Sequence, residues 1–214
     1  MDERIVASQW NAIAASFERA RTRPWPQAME FLRSLPDGAR VLDVGCGHGR
    51  HGLPARDEGF RVVGADPAPD MVRRAASRGL PVVCASATSL PFRSSSFDAT
   101  LSIATVHVIP GRALRLRALS EMGRVLVPGG RALVTAWDAS EARFERAAPW
   151  PGGELGDLSV PWREGGESFP RYMHPYDREE LAADARAAGL AIEDLRGAEV
   201  GGSRNWLLVA RKPS

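Results

Sequence analysis

The sequence lacks the features on which several common classes of protein depend. Its two cysteines, Cys46 and Cys84, are too few for a disulfide scaffold, so a reducing, cytoplasmic setting is expected. No stretch approaches the roughly 18 apolar residues that a membrane span needs. The opening residues MDERIVASQW carry acidic side chains where a signal peptide carries basic ones. These absences predict a globular protein that is neither secreted nor membrane-bound.

Lysine is almost missing as well, since Lys212 is the only lysine among 28 basic residues. The 26 acidic residues leave a formal net charge of +2, which requires no nucleic-acid partner. The arginine bias is compatible with binding of RNA phosphates, but codon usage in the genome explains it more simply. A chain of 214 residues with 44% hydrophobic residues is long enough for one well-buried domain.

Two predicted helices precede a regular alternation of strands and helices. Apolar residues at helical spacing predict a first helix over residues about 4–20, and a second helix is predicted from Gln27 to Leu35. The predicted strands read ARVLDV, FRVVGAD, LPVVCAS, FDATLSIAT, RALVTAW, AIEDLR and NWLLVAR. This alternation predicts an α/β fold, with an open, mostly parallel sheet and helices on both faces.

A glycine-rich turn follows the first predicted strand, in the stretch VLDVGCGHGR. Ligands of such sheets bind outside the carboxyl ends of the strands, and Gly45, Gly47 and Gly49 allow a tight turn and a close approach of the backbone. Cys46 and His48 lie between the glycines. No CxxC or HxxxH spacing supplies further metal ligands, so we interpret both as turn residues and expect no metal site.

Acidic residues near this turn indicate which ligand it binds. The run GHGRHG also matches the dinucleotide fingerprint, which is a weak signal alone. Asp43 precedes the first glycine and suits a cationic ligand, such as the amino and sulfonium groups of S-adenosylmethionine. Asp66 ends the second strand about 20 residues later, where a carboxylate accepts both ribose hydroxyls. The alternative role for Asp66 is a helix N-cap before Pro67.

The motifs VLDVGCGHG, VVGAD, ATSLPF, FDATLSIATVH and RVLVPGG resemble those of class I S-adenosylmethionine-dependent methyltransferases, in the same order and at similar spacing. The resemblance implies a Rossmann-like, seven-stranded sheet whose last strand is antiparallel. It also implies that Ile103 and Ala104 lie below the methyl group and that Ser86 stands where the family often has an aspartate near the adenine. The cofactor-binding residues predicted in this way are Trp10, Asp43, Gly45, Cys46, Gly47, Gly49, Asp66, Pro67, Ser86, Ala87, Ile103 and Ala104.

Segments outside these motifs are similar to the tRNA methyltransferases that esterify a carboxymethyl group on the wobble uridine. These segments are SFERARTRPWPQAMEFLRSLPDG, RALRLRALSEMGRVLVPGG, LSVPW, RYMH and RNWLLVARK. The chain departs from that family at Ala20, Trp10, Val108 and Met173, where threonine, tyrosine, histidine and tyrosine are usual. The resemblance implies tRNA or a modified nucleoside as the methyl acceptor, and a small zinc-binding activator protein as a possible partner.

The chemistry of a carboxylate acceptor agrees with the polar residues in these segments. A carboxylate is already ionised at pH 7, so it needs orientation and no general base. Arginine orients it with two hydrogen bonds, and tyrosine, histidine or asparagine can add single ones. The candidates for acceptor recognition and catalysis are Arg21, His107, Arg171, Tyr172, His174 and Asn205. Trp25 and Trp162 either stack on bases or pack internally.

We predict one methyltransferase domain over residues 1–214. Residues 1–37 form a helical lid, 38–137 the cofactor-binding core, 138–175 a substrate-side insertion, and 176–214 a C-terminal helix and strands. The insertion is rich in glycine, proline and tryptophan and reads as an irregular segment, too long for a simple connection. Two other functions stay open: a small-molecule O- or N-methyltransferase of the same fold, and a non-catalytic protein that binds S-adenosylmethionine.

Overall fold

A computed structural model of the chain describes residues 3–200 and 202–214. Its helices are α1 (Glu3–Ala12), α2 (Ala14–Ala20), α3 (Pro26–Arg33), α4 (Gly52–Asp57), α5 (Pro69–Ser77), α6 (Arg112–Val125) and α7 (Arg178–Ala187), with short 3-10 turns at Val106–Val108 and Ala142–Phe144. Its strands are β1 (Arg40–Val44), β2 (Arg61–Asp66), β3 (Val82–Cys84), β4 (Phe97–Ile103), β5 (Leu126–Trp137), β6 (Ala148–Pro149), β7 (Leu158–Glu164), β8 (Glu167–Met173), β9 (Ala191–Val200) and β10 (Ser203–Arg211).

Seven of these strands form one sheet in the order β3-β2-β1-β4-β5-β10-β9. The first five are parallel, and β10 runs antiparallel to both β5 and β9. The predicted fold, a mostly parallel seven-stranded sheet with an antiparallel last strand, is confirmed. None of the helices in the described part of the chain is long and apolar enough to cross a membrane.

Both faces of the central strands β1 and β4 are buried, which explains why these strands carry apolar residues on both sides. Side chains alternate between the faces along β1, so Leu42 and Val44 pack on one side and Val41 on the other. The first side is covered by α6 and α7, and the second by α3, α4 and α5. Covering the faces leaves the carboxyl ends of the parallel strands as the open edge at which a ligand site can form.

The N-terminal helices differ from the predicted ones. The single helix expected over residues 4–20 is broken at Ile13, whose backbone has φ −106° and ψ 5°. Ile13 and Ala14 are each only 1% exposed, so the break lets α1 and α2 bury separate faces. The second predicted helix, Gln27 to Leu35, is α3, which spans Pro26–Arg33.

The insertion is more regular than the sequence interpretation allowed, and the expectation of an irregular segment is wrong. Strands β6, β7 and β8 form a separate three-stranded antiparallel sheet. The turn between β7 and β8 consists of Gly165 and Gly166, which have positive φ values of 58° and 86°. A two-glycine turn between strand-forming segments is a hairpin signal, so the sequence did contain the information.

Candidate active site

A cavity lies at the carboxyl ends of β1, β2 and β4, beside the turn that follows β3 and beneath α1. The space between atoms here, with the open solvent at its mouth included, is about 900 Å³. Most of the predicted cofactor-binding residues line it, namely Trp10, Gly45, Cys46, Gly47, Asp66, Pro67, Ser86, Ala87, Ile103 and Ala104. The two exceptions are Asp43 and Gly49, which lie behind the glycine turn.

The glycine turn depends on two glycines whose backbone is left-handed. Gly45 has φ 72°, and a Cβ there would collide with the side chain of Thr105 at the end of β4. Gly47 has φ 55°, and its N–H donates a 2.9 Å hydrogen bond to Asp66 Oδ2. Both positive φ values favour glycine strongly. The turn therefore joins the ends of β1, β2 and β4 into one wall of the cavity.

Asp66 is buried in this wall and holds the two turns beside it. Its Oδ2 accepts from Gly47 N–H, and its Oδ1 accepts from Ala68 N–H at 2.9 Å. The N-cap of α5 is Ala68, so Asp66 is not that helix's cap. Burial raises the pKa of Asp66 to about 6, and the two hydrogen bonds from the backbone partly oppose this rise. Each carboxylate oxygen keeps a second lone pair, which fits the two hydroxyls of a ribose.

Asp43 lies behind the glycine turn, where it is only 1% exposed. Its Oδ2 has no hydrogen-bond partner among the described residues. Burial raises its pKa to about 7, although Arg50 lowers it in part. Its Oδ2 lies beside Gly52 at the start of α4, so Asp43 would act on a ligand in the cavity through its charge and not by contact, and a negative charge behind the turn favours a ligand that carries positive charge.

The surroundings of Cys46 and His48 do not make them a reactive pair. Burial, with Asp66 and Asp43 nearby, raises the pKa of the Cys46 thiol well above its usual value. Burial likewise lowers the pKa of His48, whose ring lies edge-on to Phe17 and 3.3 Å from the guanidinium of Arg78. A protonated thiol is a poor nucleophile, so this environment agrees with their interpretation as turn residues.

A second group of side chains adjoins the cavity, and we call it the arginine–tryptophan cluster. It consists of Arg21, Arg143, Arg171, Trp10, Trp137 and Trp162. The guanidinium of Arg171 lies 5.1 Å from the ring centre of Trp162, 5.5 Å from Trp10 and 6.0 Å from Trp137. Arg143 lies 4.0 Å from Trp137, and Arg21 lies 5.9 Å from Trp162. Trp10 lines the cavity too, so it belongs to both the cavity wall and the cluster.

Arg171 is a buried cation in this cluster, at 6% exposure. Its Nε has no hydrogen-bond partner within the described residues. Burial lowers its pKa to about 10, and the neighbouring cations Arg21 and Arg143 lower it further. Arg171 still carries its charge at pH 7, so an anion entering the cluster would relieve both repulsion and desolvation. The arrangement is suited to binding a carboxylate or phosphate.

His107 and Asn205 lie beneath the cluster, not in the cavity wall. The His107 ring stacks on the ring of Trp137 with centres 4.9 Å apart, and its Nδ1 accepts from the backbone N–H of Trp137 at 3.3 Å. Burial lowers its pKa to about 3, with Arg171 and Arg143 adding to the shift, so the ring is neutral. Asn205 pairs with Trp137 across β10 and β5, and its Oδ1 is buried without a partner in the described structure.

Tyr172 and His174 belong to a buried network on the other side of β8. The Tyr172 hydroxyl donates to Asp157 at 2.6 Å, and the two ring nitrogens of His174 lie 2.8 and 2.9 Å from Asp157 and Glu180. Arg115, only 1% exposed, reaches both Tyr172 and His174. The polar atoms of Tyr172 and His174 are thus engaged internally, and the network holds the insertion against α6 and α7.

Sequence reasoning missed several residues that line the cavity or the cluster. Arg50 directly follows the glycine turn, lines the cavity and packs 5.4 Å from Trp25, and its position beside the motif was a usable signal. Arg143 and Trp137 had no such signal, because Arg143 of the insertion meets Trp137, at the end of β5, only in the folded chain. Glu3 on α1 also lines the cavity, although residues near the start of the chain match no cofactor motif.

Comparison with known proteins adds to this geometry. Residues 42–134 match the family model described as a methyltransferase domain. The chain is 30% identical to the tRNA (carboxymethyluridine(34)-5-O)-methyltransferase of Schizosaccharomyces pombe over 232 aligned positions, covering 99% of this chain and 97% of that protein. It is 36% identical to the mouse protein of the same activity name and 33% identical to the Arabidopsis thaliana one. The resemblance predicted from the sequence is confirmed.

These relatives differ in length. The matches cover 64% and 70% of this chain but only 20% of the mouse protein and 37% of the Arabidopsis protein. Solved structures agree in fold: a methyltransferase from Methanosarcina mazei has a TM-score of 0.78 at 23% identity, covering 89% of this chain and 99% of its own. A putative methyltransferase from Haloferax volcanii, solved with the activator Trm112, has a TM-score of 0.74 at 20% identity and 98% coverage of both chains.

Proposed function

The chain belongs to the family of the tRNA (carboxymethyluridine(34)-5-O)-methyltransferases, and we propose that it methylates the carboxylate of a carboxymethyl group on a tRNA wobble uridine or a related modified nucleoside. The methyl donor is S-adenosylmethionine. The observation that carries the proposal is the arginine–tryptophan cluster, a set of cations and flat rings beside the donor cavity. Both suit a base that carries a carboxylate: the cations bind the carboxylate, and the flat rings stack on the face of the base.

The residues in and beside the cavity fit the ribose and the positive charge of the donor. Asp66 offers two oxygens for the ribose hydroxyls, and the glycine turn lets the backbone approach closely. The buried carboxylate of Asp43 suits the positive charge of the donor. When bound, S-adenosylmethionine supplies a methyl group on a sulfonium, which is displaced in line and rewards alignment of the two reactants. Ile103 and Ala104 line the cavity at the end of β4, the strand that pairs with β5, and β5 ends at Trp137 of the cluster.

We propose that Arg171 orients the acceptor carboxylate, with Arg21 and Arg143 adding positive charge. Trp10 borders both the cavity and the cluster, and it would pack beside the acceptor without lying between the acceptor carboxylate and the donor's methyl group. No general base is required, because a carboxylate is ionised at pH 7. The neutral, buried His107 fits a role in orienting Trp137, since its low pKa disfavours proton transfer near pH 7. Asn205 would support the same strand end, and Tyr172 and His174 would hold β8 and thereby Arg171.

We extend the proposal to the organisation of the chain. Residues 1–37 would act as a lid over the cofactor-binding core, residues 38–137. The insertion, residues 138–175, would form the acceptor side, and residues 176–214 would complete the domain with a helix and strands. The Haloferax protein of the same fold was solved with an activator, so a small activator partner, a zinc-binding one by family resemblance, is part of the proposal. A cytoplasmic location is proposed from the low cysteine content.

The deciding experiment is transfer of radiolabelled methyl from S-adenosylmethionine to bulk tRNA, including tRNA from cells that lack this gene, followed by mild alkali. Label that alkali releases as methanol shows an ester and therefore a carboxyl acceptor. Label that survives alkali would refute the carboxylate and indicate methylation of a base or ribose. If neither the chain alone nor the chain with an activator labels tRNA while the donor still binds, a small-molecule acceptor replaces the proposal.

A matched pair of arginine variants links this assay to the cluster. Arg171→Ala should lose ester formation, whereas Arg186→Ala, at an exposed position on α7, should retain it. Equal activity of the two variants would remove Arg171 from acceptor binding.

A further inference from the structure

Helix α1 brings an acidic side chain to one end of the cavity. Glu3 Oε2 accepts hydrogen bonds from Ser86 Oγ and Thr88 Oγ1, each at 3.0 Å. Glu3 and Ser86 both line the cavity, and Thr88 is buried directly behind them. Two hydroxyls from the turn after β3 therefore hold the carboxylate of a residue that is 83 positions away in sequence.

The same face of α1 spans the whole cavity. Glu3, Val6 and Trp10 all line it, at a spacing of three and then four residues that places them on one helix face. A rise of about 1.5 Å per residue puts Glu3 roughly 10 Å from Trp10 along the helix axis. Trp10 adjoins Arg171, so it marks the acceptor end, and Glu3 marks the opposite end.

The position of Asp66 determines what this opposite end receives. Asp66 ends β2, which lies between β3 and β1 in the sheet, so it stands between the turn after β3 and the glycine turn, and it suits the ribose of the proposed donor. The donor's methyl group must face the acceptor, at the Trp10 end. Because the ribose joins the methyl-bearing part to the base, the base must lie on the other side of Asp66, against the turn after β3. That turn carries Ser86, which offers a hydroxyl and no charge.

We propose that Glu3 is the residue that recognises the amino group of the adenine, and that helix α1 supplies the acid that Ser86 does not. The inference rests on the proposed function, because it takes S-adenosylmethionine as the donor. An exocyclic amino group donates hydrogen bonds, and a carboxylate is the strongest acceptor a side chain can offer it. Ser86 and Thr88 act as positioning residues, since their hydroxyls orient Glu3.

Recognition of the base by Glu3 also couples donor binding to the acceptor side. Helix α1 is attached to α5 by Asn11 Oδ1, which accepts from Asp70 N–H at 2.9 Å. It is attached to the insertion by Gln9 Oε1, which accepts from Tyr172 N–H at 3.2 Å. A base that engages Glu3 therefore stabilises the helix that places Trp10 beside Arg171.

The test compares binding of two ligands to the full chain by titration calorimetry. S-adenosylhomocysteine carries the amino group, and S-inosylhomocysteine carries a carbonyl oxygen in its place. Glu3→Ala should weaken binding of the adenosyl ligand about tenfold, or about 1.4 kcal/mol. It should leave binding of the inosyl ligand unchanged or improved. Ile5→Ala, at a 47% exposed position of the same helix, is the control and should alter neither affinity.

A second variant separates recognition from folding of the helix. Ser86→Asp in the Glu3→Ala background puts a carboxylate back at the turn and should restore the preference for the adenosyl ligand. Ser86→Asp alone should weaken binding, because it places two carboxylates side by side. The same substitution is thus expected to have opposite effects in the two backgrounds.

The outcomes distinguish this inference from the function on which it rests. If Glu3→Ala weakens both ligands equally, or neither, Glu3 does not recognise the amino group and the inference is overturned. If the double variant gains no preference, it is overturned as well. If the unmodified chain binds no S-adenosylhomocysteine, the donor assignment itself fails, and with it the proposed function.

Discussion

Replacing Asp43 with asparagine removes a buried acid that the folded chain holds at an energetic cost. Asp43 is 1% exposed, and its Oδ2 has no hydrogen-bond partner among the described residues. Burial raises its pKa from 3.8 to about 7, Arg50 opposes the shift and Asp66 adds to it. Asparagine is similar in shape and carries no charge at any pH, so the comparison isolates the cost of ionising this site.

The size of that cost follows from the two pKa values. The difference between 3.8 and about 7 is worth about 4 kcal/mol, at about 1.4 kcal/mol for each pKa unit. Between these values the folded chain binds more protons than the unfolded chain, so stability falls as pH rises through this window. The cost is partial at pH 5 and complete above pH 7. Asp43→Asn should therefore gain about 2–3 kcal/mol relative to the natural chain between pH 5 and pH 8.

Urea unfolding of both chains at pH 5 and pH 8, without donor, measures this difference. Asp98→Asn is the matched control, because a hydrogen bond from Arg40 holds the pKa of Asp98 below its usual value. Its replacement should destabilise the chain about equally at both pH values, which lie above that pKa. A difference between Asp43→Asn and the natural chain that stays constant from pH 5 to pH 8 would refute the reasoning. The stabilised variant should also bind S-adenosylhomocysteine more weakly.

Three further outcomes are expected. Asp66→Ala should weaken donor binding by about 1.5–3 kcal/mol. Because the pKa of Asp66 is raised to about 6, the natural chain should lose affinity as pH falls through 6, and calorimetry showing no change would remove Asp66 from the site. Arg171→Ala should leave S-adenosylhomocysteine binding intact and reduce turnover, whereas equal loss of both would mark Arg171 as structural. Arg115→Met should cost about 3–5 kcal/mol of unfolding free energy, because it removes the buried arginine whose charge faces Asp157 and Glu180. A loss below 1 kcal/mol in urea would contradict this.

The sheet was predictable from the sequence because its signals are local. Apolar strands alternate with helices, and the glycine turn follows directly after β1, so periodicity and a short motif identify both. Ile13 was not predictable as a break, since the apolar spacing continues through it. The hairpin of β7 and β8 was missed although Gly165-Gly166 marks its turn, because the short strands lie in a segment rich in proline and glycine.

The sequence by itself determined the glycine turn, Asp66 and Ile103, because each lies at or directly after the carboxyl end of a strand of the parallel sheet. Their positions depend on the strand ends and on few other contacts. Only the tertiary structure decided two other sets of contacts. It brings Arg171 against Trp10 and Trp162, and it brings Glu3 within hydrogen-bond distance of Ser86. These contacts join residues far apart in the chain, and no periodic pattern encodes them. They form only when α1 and the insertion pack against the open edge of the sheet.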